Sequence, residues 1–111
     1  MSFTVETDGD IAFVAINGDI TSTNSNELQL AIENIKNDGF IKIIFNLQGL
    51  FYICSLGIGV LARNCGQLTK QNGKMVFYNP TEEIKKLLSL LRLDKIIPIA
   101  SSRNEAIEIC N

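Results

Sequence analysis

The apolar and polar positions of this chain follow a two-residue period in some segments and a helical period in others. Two short β-branched and aromatic segments, at 3–5 and 11–16, are separated by Asp8-Gly9-Asp10, which is typical of a tight turn. This pattern predicts two strands that open the chain as a β-hairpin.

Three further segments have the composition of strands. Residues 41–47 form a nearly continuous apolar run, which is typical of a strand covered on both faces of a parallel sheet. Residues 75–78 and 96–99 are shorter apolar segments. We therefore expect three more strands after the hairpin.

The segments between these strands carry apolar residues three, four and seven positions apart, which predicts three amphipathic helices. Their apolar stripes are Leu28, Ala31, Ile32 and Ile35; Ile58, Leu61, Ala62 and Cys65; and Ile84, Leu87, Leu88 and Leu91. The second helix is expected to stop near Gly73, because glycine commonly follows the last turn of a helix.

Capping residues precede two of these helices. Asn24 or Ser25 can cap the first helix, since short polar side chains accept hydrogen bonds from free N–H groups of a first turn. Asn79 is expected to cap the third, with Pro80 at its first position and Glu82 completing a start that resembles a capping box.

A last helix is predicted from Ser102, because Glu105 follows it at the spacing of a capping box. The element order is then β-β-α-β-α-β-α-β-α. Strands that alternate with helices require right-handed crossovers, which make neighbouring strands parallel. We expect one α/β domain over residues 1–111, with a mostly parallel β-sheet, an N-terminal β-hairpin and about four helices.

Composition and charge narrow the possible functions. The 12 acidic and 10 basic residues give a net charge of −2, so no basic surface for nucleic acid is expected. The chain has no histidine, which excludes Ser-His-Asp triads and histidine-bound metals. The three cysteines, Cys54, Cys65 and Cys110, lack metal-ligand spacing, and we expect reduced thiols, no metal and no cofactor.

The sequence also gives an expectation about location. No apolar run reaches the roughly 20 residues that a membrane span needs, and the first residues do not have the pattern of a signal peptide. We therefore expect a cytoplasmic protein that does not contact membrane.

The segment from Phe51 to Leu61 carries the most functional information. It joins a buried strand to an amphipathic helix, and loops at the carboxyl ends of parallel strands are where ligands and partners bind. Ser55 stands where the helix N-cap is expected, so its hydroxyl should face solvent beside the positive end of the helix dipole.

Residues 52–61 resemble the signature of the STAS domain, in which an aspartate, a phosphorylatable serine, a second hydroxyl residue and a glycine open a helix. Further similarity lies in Gly18-Asp19-Ile20 before a polar loop, in 73–76 before a strand, and in 90–97 near the end of the chain. The likeness covers nearly the whole chain in the same order. The chain thus resembles the STAS domains of anti-sigma-factor antagonists.

This resemblance implies a mechanism. In that family the unmodified protein binds an anti-sigma factor, often a serine protein kinase, and phosphorylation of the loop serine ends the binding. Carried over to this chain, the resemblance implies a non-enzymatic regulator with Ser55 as its phosphorylation site. The chain departs from the family pattern at Cys54, Leu56 and Thr21, where an aspartate, a hydroxyl residue and an acid are expected.

The predicted partner surface surrounds this loop, and Leu56 is expected to be an apolar anchor within it. The residues assigned to it are Thr21, Ser22, Asn24, Cys54, Ser55, Leu56, Gly57, Arg63 and Asn64. We expect the protein to be a monomer or a weak dimer.

Other interpretations remain open. Ser55 can be a plain helix cap, and Cys54 a redox-sensitive thiol or a small buried hydrophobe. Residues 57–62 match G-x-G-x-x-A, but no acid follows at the distance of a ribose ligand, so this match to a dinucleotide site is weak. The alternative functions are a STAS interaction module in a sensory or transporter-associated complex and a small nucleotide-binding protein.

Overall fold

The computed structural model of the protein describes all of residues 1–111. It contains five strands, four α-helices and one 3-10 helix. In chain order they are β1 (Ser2–Asp8), β2 (Ile11–Ile20), α1 (Ser25–Asn37), β3 (Lys42–Ile53), α2 (Ser55–Lys70), β4 (Lys74–Tyr78), α3 (Glu82–Leu90), the 3-10 helix (Leu93–Lys95), β5 (Ile99–Ala100) and α4 (Arg103–Cys110).

The strands form one sheet in the order β1-β2-β3-β4-β5. β1 pairs antiparallel with β2 through the turn at Gly9, whose φ of +61° suits a tight hairpin. All other neighbouring strands are parallel. This confirms the predicted α/β fold with an N-terminal hairpin and a mostly parallel sheet.

The two faces of the sheet are covered unequally. One face packs against α1, α2 and α3 and holds a core of 22 buried residues, in which the rings of Phe45 and Phe77 meet edge to face with centroids 5.8 Å apart. The other face holds only 7 buried residues beneath α4. β3 contributes to both cores because alternate residues of a strand point to opposite faces, as with Ile43 and Ile44.

Several boundaries differ from those expected. The third helix is capped by Thr81, and the expected cap, Asn79, instead has a left-handed backbone with φ of 64°. β5 is shorter and later than the expected 96–99, because the chain first forms the 3-10 helix, where the N–H of Ile97 donates to the carbonyl of Leu93. α2 ends at Lys70, slightly before Gly73.

β3 is longer than the apolar run that predicted it, and its second half is paired on the β2 side only. Only Lys42 to Asn46 pair with β4, whereas β2 accompanies β3 as far as Ile53. The register between β2 and β3 shifts at two places. The first lies between the pairs Ala15–Asn46 and Asn17–Gly49, and the second between the pairs Gly18–Leu50 and Asp19–Tyr52. This extension of β2 and β3 carries the loop that opens α2 beyond the end of β4.

Candidate partner-binding loop surface

The start of α2 is built differently from the sequence-based expectation. Cys54 is the N-cap residue, and its Sγ accepts a hydrogen bond from the backbone N–H of Gly57 at 3.4 Å. Ser55 is the first residue of the helix, and the prediction that it caps α2 is wrong. Its side chain is exposed, so the hydroxyl remains available beside the N-terminus of the helix.

Gly57 lies on the inner side of this turn. It is buried, and a Cβ at this position would lie 2.7 Å from Cγ2 of Ile20 and 2.9 Å from Cγ1 of Ile53. The first turn of α2 can therefore approach β2 and β3 only because residue 57 has no side chain. Gly57 is therefore wrongly assigned to the contact surface, because it packs against the sheet on the buried side of the loop.

The glycine pattern at 57–62 consequently has a packing explanation. All six residues lie inside α2, whereas a dinucleotide fingerprint places its first glycines in the turn that precedes a helix. Gly57 packs on the sheet, and Gly59 has open space around it.

The loop between β2 and α1 lies beside the start of α2. β2 and β3 are parallel, so both loops follow the carboxyl ends of neighbouring strands, and the N–H of Cys54 donates to the carbonyl of Ile20 at 2.9 Å. Ser22 is exposed, while Thr21 and Asn24 are half-buried. The fold thus brings the predicted residues of both loops to one edge of the sheet.

Asn24 stabilises its own loop. Its Oδ1 accepts from the N–H of Thr21 at 2.8 Å, and its Nδ2 donates to the carbonyl of Asp19 at 3.0 Å. Asn24 occupies the N-cap position of α1, but its side chain makes no capping hydrogen bond to that helix. The amide is used instead to hold the turn between β2 and α1.

Asn64 is wrongly assigned to the exposed surface, because its side chain is fully buried between α1 and α2. Its Nδ2 donates to the carbonyl of Val60 at 2.7 Å and to Oε1 of Gln29 at 2.8 Å. Its Oδ1 accepts from Nζ of Lys36 at 2.5 Å. Asn64 therefore fixes α2 against α1, since a buried amide is stable only when its hydrogen bonds are satisfied.

Two charged residues surround Asn64 at the rim of this helix pair. Arg63 is exposed, as predicted, and its guanidinium donates to Oε1 of Gln29 at 3.1 Å. The ammonium of Lys36 also donates to Oε1 of Gln67 at 2.6 Å. Burial lowers the pKa of Lys36 from its usual value, because desolvation disfavours the ammonium form.

Large apolar side chains are exposed along the same stretch of chain. Leu56 is 58% exposed, which agrees with its expected place on the surface. Phe51 and Tyr52 are 64% and 53% exposed, and the residue-by-residue prediction of the site omitted them. The sequence carried no clear signal of this exposure, because consecutive residues of β3 can also be buried on opposite faces of the sheet, as Ile43 and Ile44 are.

The other two thiols are structural. Cys65 and Cys110 are buried, and burial raises the pKa of each thiol because the thiolate is disfavoured away from water. A raised thiol pKa lowers reactivity towards oxidants and electrophiles.

A cavity of about 610 Å³ lies at the ends of β4 and β5, and Ser55 is not among the residues that line it. Eight of its ten lining residues are polar or proline, including Glu82, Lys85, Asp94 and Glu105, so it lacks the apolar walls usual in small-molecule sites. No three acidic or cysteine side chains are arranged to hold a metal ion, and no helix combines the length and apolar character needed to cross a membrane.

Comparison with known proteins places this geometry in a family. The model of the STAS domain matches residues 2–106. A Thermotoga maritima protein provisionally assigned as an anti-sigma factor antagonist is 31% identical over 72 residues, which make up 65% of this chain. The aligned part spans 64% of that relative, slightly less than two thirds of its length.

Solved structures share the fold. The crystal structure of a provisionally assigned anti-sigma factor antagonist from Thermotoga maritima superposes with a TM-score of 0.90 at 24% identity, covering 97% of this chain and 93% of that one. The Bacillus cell fate determinant SpoIIAA in its phosphorylated form gives a TM-score of 0.74 at 20% identity, covering 99% and 100% of the two chains. Because the family model spans residues 2–106, the chain belongs to the STAS domain family.

Proposed function

We propose that this protein is an anti-sigma-factor antagonist that binds an anti-sigma factor or a serine protein kinase, and that it acts by binding rather than by catalysis. The proposed contact area, here named the loop surface, comprises Thr21, Ser22, Asn24, Cys54, Ser55, Leu56 and Arg63. The single observation that carries the proposal is the exposed Ser55 hydroxyl in the first turn of α2, beside the β2–α1 loop. The assignment of the Thermotoga maritima relative supports the same role.

We further propose that phosphorylation of Ser55 ends partner binding. A phosphate adds about −1.5 to −2 charges at neutral pH. No acidic residue occupies the first turn of α2, so no neighbouring carboxylate in that turn opposes the phosphate. The helix dipole and free N–H groups favour an anion there by up to about 2 kcal/mol.

The modified protein should therefore remain folded, and the phosphate should act on the complex. At an interface, the phosphate must be stripped of water or must face the partner's own charges, and both effects oppose binding. Each loss of about 1.4 kcal/mol weakens affinity tenfold.

The test uses the full chain as an affinity bait in lysate of its native host, followed by titration of the recovered and purified partner. Ser55→Asp is expected to weaken binding at least tenfold relative to the unmodified chain. The matched control is Asn72→Asp, which adds the same single charge just beyond the other end of α2, at an exposed residue. Equal binding by both variants would exclude the loop surface as the contact.

Incubating the purified partner with this protein and ATP tests the modification. If the partner is a kinase, peptide mass spectrometry should find the phosphate on Ser55, and Ser55→Ala should abolish its incorporation. Phosphate found only at another residue would contradict this assignment. The identity of the captured protein also separates the proposal from its alternatives, since a sensory or transport protein would place this STAS domain in a complex without sigma-factor control.

A further inference from the structure

The segment on either side of Ser55 carries no charged side chain and exposes large apolar ones. Phe51, Tyr52 and Leu56 expose more than half of their surface, and they lie within six consecutive residues that also contain Ser55. In the two segments that form this edge, 19–24 and 51–59, the only ionisable carboxylate or basic side chain belongs to Asp19. We name Phe51, Tyr52 and Leu56 the apolar patch.

The exposure of two consecutive residues, Phe51 and Tyr52, is a product of strand pairing, because regular alternation after the buried Leu50 would turn Phe51 outward and Tyr52 inward. Gly18 is the Cα partner of Leu50, and the next residue of β2, Asp19, is the partner of Tyr52, so Phe51 has no partner in β2. An extra residue of this kind is a β-bulge, a feature that redirects a side chain and occurs often beside functional sites.

The bulge is held within ordered structure, so the exposure of the patch is not caused by a frayed end. Leu50 and Ile53, on either side of the two aromatic residues, are 1% and 4% exposed. Tyr52 stands opposite Asp19, which is itself exposed. The fold thus fixes two aromatic side chains outward next to a single carboxylate.

We infer that the apolar patch is the main anchor for the partner, and that it binds a segment of another protein carrying aliphatic or aromatic side chains and one basic residue that faces Asp19. Asp19 forms no ion pair within the protein, and the two segments contain no basic side chain, so a basic residue of the partner would complement it. This inference rests on the proposed function and specifies the chemistry of the partner.

The apolar character also determines how a charge on Ser55 would act. Burying an anion against apolar groups costs free energy through desolvation, whereas repulsion between exposed charges is screened by salt. If the patch is the anchor, a negative group at Ser55 should oppose binding even when salt shortens the screening length to about 3 Å, near 1 M.

The first experiment selects binders from a phage library of random dodecapeptides on the immobilised full chain, with Phe51→Ser as the counter-selection. Selected peptides should contain two or more large apolar residues and a lysine or arginine, and Asp19→Asn should weaken their binding. Acidic consensus peptides, or peptides that bind Phe51→Ser equally well, would overturn the inference.

The second experiment titrates a selected peptide, and then the partner captured with the full chain, against Phe51→Ser, Leu56→Ser and Leu90→Ser. The first two variants should lose at least tenfold in affinity. Leu90→Ser is the matched control, because Leu90 is 80% exposed on α3, outside the patch, and it should change affinity less than twofold. Ser55→Asp should remain at least tenfold weaker at about 1 M salt.

The outcomes separate this inference from the proposed function. If Ser55→Asp weakens binding of the captured partner but Phe51→Ser and Leu56→Ser do not, the inference fails and the proposed function stands. If none of the three variants weakens binding, both fail. Sedimentation of the free protein tests whether a second copy of this chain occupies the apolar patch. A dimer that becomes monomeric in the Phe51→Ser variant would overturn the inference that a different protein binds there.

Discussion

The starts of α2 and α4 have equivalent places in the fold and opposite constructions. Both helices follow parallel strands of the same sheet. α4 is capped by Ser102, whose Oγ accepts from the N–H of Glu105 at 3.1 Å, and it has that acid in its first turn. α2 is capped by the sulfur of Cys54 at a longer 3.4 Å and has no acid in its first turn.

α3 and α4 begin with residues that stabilise the helix, whereas α2 begins with a hydroxyl that stays in solvent. α3 resembles α4, because Oγ1 of Thr81 accepts from the N–H of Ile84 at 3.2 Å and two glutamates follow. Hydroxyl caps and early carboxylates both stabilise a helix N-terminus. In α2 the hydroxyl of Ser55 comes one residue too late to cap the helix, and it faces solvent instead. A partner can contact such a group without removing a hydrogen bond that the helix start needs.

The largest effect on stability is expected at Gly57. Alanine normally stabilises a helix relative to glycine by roughly 0.5–1 kcal/mol. At Gly57 the new methyl group would collide with Ile20 and Ile53, and over-packing of this kind costs about 1–3 kcal/mol. Gly57→Ala should therefore lower the urea midpoint.

Gly59→Ala is the matched control in the same helix, since a Cβ there meets nothing within 4 Å. It should raise the free energy of unfolding by about 0.5–1 kcal/mol. A stabilising effect of both substitutions would show that α2 does not depend on close contact at Gly57.

An intermediate effect is expected at the hydroxyl caps. Thr81→Ala and Ser102→Ala each remove an acceptor from the first turn of a helix and should cost about 1 kcal/mol in urea unfolding. Ser89→Ala, at an exposed residue late in α3, should stay within about 0.5 kcal/mol. If neither Thr81→Ala nor Ser102→Ala lowered the free energy of unfolding, the hydroxyl caps would not distinguish α3 and α4 from α2.

The smallest effects are expected at the start of α2. Ser55→Ala should change the free energy of unfolding by less than about 0.5 kcal/mol, because the side chain is exposed and does not cap the helix. Cys54→Ser should stabilise by a few tenths to about 1 kcal/mol, since oxygen is a stronger acceptor than sulfur at an N-cap. Thermal and urea unfolding measure both, and a loss near 1 kcal/mol for Ser55→Ala would restore Ser55 as the cap.

The sequence by itself determined the order of strands and helices, the hairpin and the mostly parallel sheet. These depend on local periodicity and on turn chemistry, such as Asp8-Gly9-Asp10, which act over a few residues. The start of the last helix at Ser102 was predictable for the same reason. The functional segment was also identified, from its place between a buried strand and an amphipathic helix and from its resemblance to the STAS signature.

Only the tertiary structure decided which residues of that segment are exposed. The bulge that leaves both Phe51 and Tyr52 facing outward depends on the register between β2 and β3, and Asn64 is buried because Gln29 and Lys36 of α1 meet it. Cys54 rather than Ser55 caps α2 at a turn that packs through Gly57 against both strands. The register of β2 with β3, the hydrogen bonds of Asn64 and the contact between Gly57 and Ile20 each join residues that are far apart in the chain, and the hydrophobic period along the chain does not encode such pairings.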